Sequence, residues 1–222
     1  MSSTSSCWIF CLKAMPTERT PSGETGDQDE LGPIDAALVE RRRVHPKPGE
    51  EFRVFGYGSL MWRPDFPFID IVPATLHGYH RAFCVKSEHY RGTPQRPGLV
   101  LGLDRGGMCH GRMFRVKAEH AVEVADTLHR REMVTGVYEP RWLKVRLPDG
   151  SRLKALGYVA DRSHRQYAGR LEAAEVARRI RGAIGKFGSN VEYLKNTVRH
   201  LEEMGIHECS LHRVLRQVEE GQ

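Results

Sequence analysis

With 222 residues, 40% of them apolar, the chain is long enough for one domain with a sizeable core. No run approaches the roughly 18 consecutive apolar residues that a membrane helix needs, so a soluble protein with no membrane partner is expected. The formal net charge of +6 suits an anionic partner, but the arginines are scattered and no recognised binding motif accompanies them. That argues against nucleic acid and for a small anion or a solvated basic surface.

Residues 1–50 differ from the rest. They are rich in Ser, Thr, Pro and Gly and contribute −2 of the +6, leaving +8 for residues 51–222. They are expected to form a disordered tail ahead of a single domain over 51–222. The apolar stretch Cys7–Leu12 is too short for a secretory h-region and lacks both a preceding positive segment and a cleavage site, so no secretion is expected. Five dispersed cysteines, Cys7, Cys11, Cys84, Cys109 and Cys209, with no C-x-x-C, fit reduced thiols in the cytoplasm. Cys84 and Cys109 lie in strand-like runs and read as small buried hydrophobes.

The first informative stretch is Phe55–Asp65, FGYGSLMWRPD. Val54 and Phe55 read as the end of a strand, and Gly56 and Gly58 permit positive φ in a tight turn. Such a turn leaves the N–H groups of Tyr57, Gly58, Ser59 and Leu60 without ladder partners, and converging donors can cradle an anion or a carbonyl. A lone G-x-G more often marks only a turn. A dinucleotide site is excluded, because Met61 stands where a third glycine would help and Pro64 interrupts the helix that would follow. No P-loop motif occurs.

From Glu51 to about Ala160 the pattern is mostly β. Ala82–Val85, Leu99–Leu103, Met113–Val116, Trp142–Leu147 and Leu153–Val159 are short apolar or β-branched runs. Turn signals at Arg91–Pro94, Arg96–Gly98, Asp104–Gly107 and Pro148–Gly150 separate them. Many short strands with tight turns imply a small closed or strongly curled β-barrel, since closure removes exposed edges. One helix is expected at about Ala118–Arg131, with Val122, Ala125 and Leu128 on one face.

That helix leads into a second informative stretch, His129–Trp142. By itself Glu132 is a solvated helix-end charge, because Glu is seldom buried without a partner. A carboxylate at a helix C-terminus is nevertheless disfavoured by the macrodipole unless Arg130 or Arg131 offsets it, a poise that suits a general base. Gly136 permits a bend that would bring Glu132 opposite the Gly-rich turn. Tyr138, on a strand, reads first as packing.

The last quarter is helical. Val176, Ile180, Ile184 and Phe187 form one stripe, Val191, Leu194, Val198, Leu201 and Met204 a second, and Leu211, Val214, Leu215 and Val218 a third. Gly185 and Gly188 are expected to end the first helix, and Ser189 with Glu192 forms a capping box for the next. Each stripe is too narrow for a self-contained bundle, so the helices should flank the barrel as one α+β unit. His207, Cys209 and His212 share no helical face and have no C-x-x-C beside them, so no metal is expected.

Taken together, FGYGSLMW at 55–62, YRGTPQRPGLVLGL at 90–103, DRGG with GRMFRV at 104–116, REMVTGVY at 131–138 and GSNVEYL at 188–194 resemble the ChaC-type gamma-glutamylcyclotransferases in order and spacing. The resemblance runs from about Val54 to Leu215. It implies a compact barrel with flanking helices, no cofactor, and an enzyme cleaving glutathione to 5-oxoproline and cysteinylglycine. The family's acid/base glutamate, in R-E-x-x-[GT]-G-x-Y, falls on Glu132. Its substrate-binding loop falls on Val54, Phe55, Gly56, Tyr57, Gly58, Ser59 and Leu60. The resemblance also admits Tyr138 as a substrate contact. Arg91 and Arg115 are further candidates to meet a substrate carboxylate, although most of so many arginines must be surface residues.

The chemistry implied is intramolecular. The γ-glutamyl α-amine attacks its own side-chain amide carbonyl, closing a lactam and expelling an amine without water. Holding that near-attack geometry can be worth about 7–11 kcal/mol. One carboxylate can take the proton from the attacking amine and return it to the leaving one. The turn N–H groups would serve either the oxyanion or the substrate α-carboxylate. Two other readings stay open: a cyclotransferase for other γ-glutamyl amides, and a non-catalytic regulatory binding module.

Overall fold

The computed structural model describes residues 35–221. Five strands close into a barrel in the order β1 (Phe52–Gly56), β3 (Gly98–Val116), β2 (Asp70–Ser87), β4 (Tyr138–Arg146), β5 (Arg152–Ala160). Neighbours are antiparallel except where β5 meets β1 and β3. Those parallel pairings, Val54 with Leu156 and Leu103 with Val159, shut the barrel. Closure satisfies the main-chain groups that an open edge would expose. The expected barrel with flanking helices is therefore the fold.

The strands β2 and β3 are far longer than the short runs read from the sequence. They pair from Asp70 with Arg115 to Ser87 with Gly98, with register shifts between His77 and Tyr79 and between Phe83 and Val85. The Asp104–Gly107 signal, read as a turn, lies inside β3. Gly78 on β2 (φ +85°) faces Gly106 and Gly107 on β3 (φ +97° and +70°), and the register shifts between His77 and Tyr79. This is a bulge that bends two long strands around the barrel. The glycines do here what they do in a turn, so local composition could not separate the two. The other turn signals hold: residues 88–97 link β2 to β3, and the Leu147 and Gly150 main-chain bonds close the β4–β5 hairpin.

Helix α2 (Ala121–Glu132) packs Ala121, Val124, Ala125 and Leu128 against Phe52, Val54, Phe114, Val116 and Leu156. Val122, expected on that face, is 62% exposed, because the 121/124/125/128 spacing follows the 3.6-residue period and Val122 falls off it. On another side of the barrel lie α3 (Ala173–Arg181), α4 (Asn190–Glu203) and α5 (Cys209–Glu220). Val176, Ile180, Leu194, Val198, Leu201, Leu211, Val214 and Val218 join Phe55, Phe83, Leu101 and Met113 in the main core. The Ser189 hydroxyl accepts from the Glu192 N–H at 3.1 Å, as the capping box requires. Helix α3, however, stops at Gly182. Ile184 and Phe187 leave the expected stripe for a small hairpin, β6 (Ile184–Gly185) with β7 (Gly188–Ser189), and are 66% and 55% exposed.

The tail boundary also moves. Residues 35–50, assigned to the tail by composition, include helix α1 (Ala36–Arg41) and dock on the body. Arg42 donates to Gly136 O at 2.8 Å and pairs with Asp161 at 2.6 Å, and Arg43 pairs with Asp126 at 2.7 Å. The rest of the expected tail, residues 1–34, lies outside the described residues. Among the described residues no helix is long and apolar enough to cross a membrane.

Candidate active site

Glu132 is the last residue of α2. The helix ends because Met133 and Gly136 close the turn by bonding to His129 O at 3.0 Å and Met133 O at 3.3 Å. Gly136 has φ +73°, and a Cβ there would lie 3.2 Å from Val39. The bend anticipated at Gly136 is thus present, and it carries the chain directly into β4 at Tyr138.

The Gly-rich turn follows β1 and runs into a short 3-10 turn at Ser59–Met61. Neither Gly56 nor Gly58 adopts positive φ, contrary to expectation; Gly58 sits at φ −128°. Gly56 is needed for close approach instead, since a Cβ would lie 3.2 Å from both Leu60 and Phe114. Val54, Phe55, Tyr57 and Leu60 are buried, so they shape the turn from inside the core, while Gly58 and Ser59 are half-exposed. Met61, Trp62 and Arg63 donate their N–H groups to Gly58 O and Ser59 O. Among the described residues the Tyr57 and Gly58 N–H groups have no acceptor.

One guanidinium joins the two stretches. Arg131 Nη2 donates to Ser59 Oγ at 3.0 Å, and Nη1 reaches Arg63 O at 2.6 Å and Asp65 Oδ2 at 2.8 Å. Its Nε lies 3.3 Å from Glu132 Oε1. The carboxylate and the Ser59 hydroxyl are therefore separated by a single planar group. The Glu132 side chain keeps only 18% exposure. Burial raises its pKa above the ordinary carboxylate value, and the Arg131 charge offsets part of that rise.

Four tyrosines surround this carboxylate: Tyr57, Tyr138, Tyr158 and Tyr193. Burial pushes each phenol up, Tyr193 to about 12, and the Glu132 charge adds to the rise in all four. Two hydroxyls meet the main chain of one residue, Leu101. Tyr138 donates to Leu101 O at 2.7 Å, and the Leu101 N–H donates to Tyr193 Oη at 3.5 Å. Tyr193 is held there by Asn190, one turn earlier on α4. The fully buried Asn190 amide accepts from Leu99 N at 2.6 Å and donates to Leu99 O at 2.7 Å. It acts as an extra rung on β3.

Arg81 on β2 supports the turn from below. Its guanidinium is buried, donates to the Tyr57 carbonyl and to His110 O, and pairs with Glu208 just ahead of α5. Removing one partner of such a buried pair typically costs about 3–5 kcal/mol. Sequence reasoning missed Arg81, Arg131 as a tether, Tyr158 and Tyr193. Two of these had a signal, Arg131 at the head of REMVTGVY and Tyr193 in GSNVEYL. Of the other candidates, Arg91 stacks over the Tyr193 ring at 5.4 Å and bonds to Ser189 O at 3.2 Å. Arg115 is spent on Glu51 at 2.8 Å and Asp70 at 3.5 Å, which neutralise it, so it is not poised for a substrate. Two clefts elsewhere, one beside Arg41–His45 and Trp142 and one between β2 and α5, are not lined by Glu132.

Known proteins identify the family. The model of the family described as ChaC-like protein matches residues 52–221. The glutathione-specific gamma-glutamylcyclotransferase of Escherichia coli K12 is 36% identical over 180 residues, covering 81% of this chain and 78% of its own. The enzyme of that name from Schizosaccharomyces pombe is 33% identical over 189 residues, covering 73% of this chain and 91% of its own. A crystal structure of the yeast gamma-glutamyl cyclotransferase specific to glutathione superposes with a TM-score of 0.70 at 25% identity, over 77% of this chain and 96% of that one. The barrel, its flanking helices and both motif stretches lie almost entirely within the matched span, and the chain belongs to the ChaC-like protein family.

Proposed function

We propose that this protein is a glutathione-specific gamma-glutamylcyclotransferase, releasing 5-oxoproline and cysteinylglycine, with Glu132 as the general base and acid. The observation that carries the reading is the half-exposed turn at Gly58–Ser59 tethered through Arg131 to a carboxylate whose proton affinity is raised by burial. The relatives' names supply the substrate.

The substrate's α-amine gives a proton to Glu132 as its nitrogen bonds to the γ-carbonyl carbon. The resulting oxyanion collapses, the C–N bond to the cysteinyl nitrogen breaks, and Glu132 returns the proton to that nitrogen. No water or redox partner is consumed. The amine attacks as the neutral base, its nitrogen turns acidic as it bonds to the carbonyl carbon, and a raised Glu132 pKa makes the carboxylate a better acceptor for that proton. The Tyr57 and Gly58 N–H groups, with the Ser59 hydroxyl, would receive an oxyanion or carboxylate. The ring of neutral phenols keeps the amine dry without adding a second negative charge.

Incubating the purified protein with glutathione and following 5-oxoproline and cysteinylglycine by mass spectrometry tests the reading. Equimolar appearance of both is expected. Release of free glutamate in place of 5-oxoproline would mean hydrolysis and would overturn it.

A further inference from the structure

The connection between α4 and α5 gathers three side chains that no single stretch of sequence brings together. Glu202 lies in the last turn of α4, His207 in the connecting segment and His212 in the first turn of α5. One nitrogen or carboxylate oxygen from each lies within 4.8 Å of the others. His212 Nε2 is 2.7 Å from Glu202 Oε1, and the His207 and His212 rings are 4.1 Å apart between centroids. His207, Cys209 and His212 share no helical face, and Glu202 arrives from another helix, so spacing along the sequence does not bring the three ligands together.

The geometry of His212 is that of a held ligand. Its Nδ1 lies 2.8 Å from the Glu208 main-chain oxygen, and a carbonyl can only accept, so Nδ1 carries a proton. A histidine oriented in this way by a main-chain carbonyl turns its Nε2 toward the position a metal would occupy. That nitrogen points at a carboxylate oxygen, beside a second imidazole.

We propose that Glu202, His207 and His212 form a binding site for a zinc-class divalent transition-metal ion. Two imidazoles and one carboxylate suit zinc, whereas calcium and magnesium take all-oxygen shells. With metal–ligand bonds of about 2.0–2.2 Å, the three donor atoms must draw together by little more than an ångström. Rotation of exposed side chains supplies that. A fourth position remains for water.

The site is also connected to the turn described above. Glu208 accepts from His212 through its carbonyl and from Arg81 through its carboxylate, and Arg81 holds the Tyr57 carbonyl. An ion at this point fixes the end of α4 to the start of α5 on both sides of Glu208. Loading is expected to raise the melting temperature.

The full-length chain, with Cys7 and Cys11 replaced by serine so that their thiols do not compete, is stripped with a chelator and titrated calorimetrically with zinc chloride. One site is expected. Glu202→Gln, His207→Ala and His212→Ala should each weaken it by roughly tenfold or more, since loss of even an outer-shell partner costs 10–100-fold. Cys209→Ser should bind as the parent does. Cobalt(II) should give the visible bands of nitrogen and oxygen coordination without thiolate charge transfer. No zinc uptake, uptake that survives both His212→Ala and Glu202→Gln, or uptake lost in Cys209→Ser would overturn the proposal.

Discussion

Replacing Glu132 by Gln keeps the volume and the hydrogen-bonding oxygen while removing the proton acceptor. Three of the four contacts of Arg131, to Ser59, Arg63 and Asp65, do not involve Glu132, so the turn should keep its place. The loss is then confined to proton transfer, and kcat should fall by about 10²–10⁴-fold, or roughly 2.7–5.5 kcal/mol of barrier. Glutathione binding should remain measurable by calorimetry. Stability should move the other way. Because burial raises the folded-state pKa above the ordinary 4.5, the protonated form is the one the fold favours. The contribution of Glu132 to stability is therefore full below 4.5 and is lost as pH rises through the folded pKa. Above its folded pKa the wild type carries an ionised carboxylate at a cost, and there Glu132→Gln should melt at the same temperature or higher. In the wild type the acidic limb of kcat/KM should lie above pH 4.5, and the variant should lack it. Turnover near the wild-type rate, or activity lost together with a lowered melting temperature, would refute the reasoning, the second by making Glu132 structural.

Arg131→Met should raise KM by untying Ser59 and shift the acidic limb of kcat/KM upward, since the offsetting charge on Glu132 is gone; a pH–rate series on both proteins checks this. Asn190→Ala leaves the Leu99 N–H and C=O buried without partners. At about 1–3 kcal/mol per orphaned group it should cost about 2–6 kcal/mol in urea unfolding. Iodoacetamide with peptide mapping at pH 8 should label the exposed Cys209 and spare Cys84, whose thiol burial holds at about 12, and Cys109, raised by the same cause.

Periodicity and turn chemistry are local, and what they report came through. The apolar runs of β4 and β5, the Pro148–Gly150 hairpin, the Ser189 cap and the stripes of α4 and α5 depend on residues within one or two turns of each other. The need to close a sheet of many strands made the barrel legible as well. Where one local signal serves two structures, the reading erred. Glycines with positive φ make a turn or a bulge, and only the β2–β3 register decided that Gly106 and Gly107 bend a strand.

The two ends of the candidate site, Glu132 and the Gly58–Ser59 turn, were visible as motifs, because each is a short run of unusual residues. Their distance was not. Arg131 stood beside Glu132 in its motif, but only the barrel placed Ser59, Arg63 and Asp65 around it, and nothing near Tyr193 in sequence says that its hydroxyl meets Tyr138 at Leu101. Arg42 and Arg43 read as tail until their carboxylates, Asp161 and Asp126, came from far along the chain. Composition and spacing determined the elements and the kind of chemistry; which charges face each other is decided by packing, since electrostatic and hydrogen-bond energies depend on separations of a few ångströms that sequence distance does not encode.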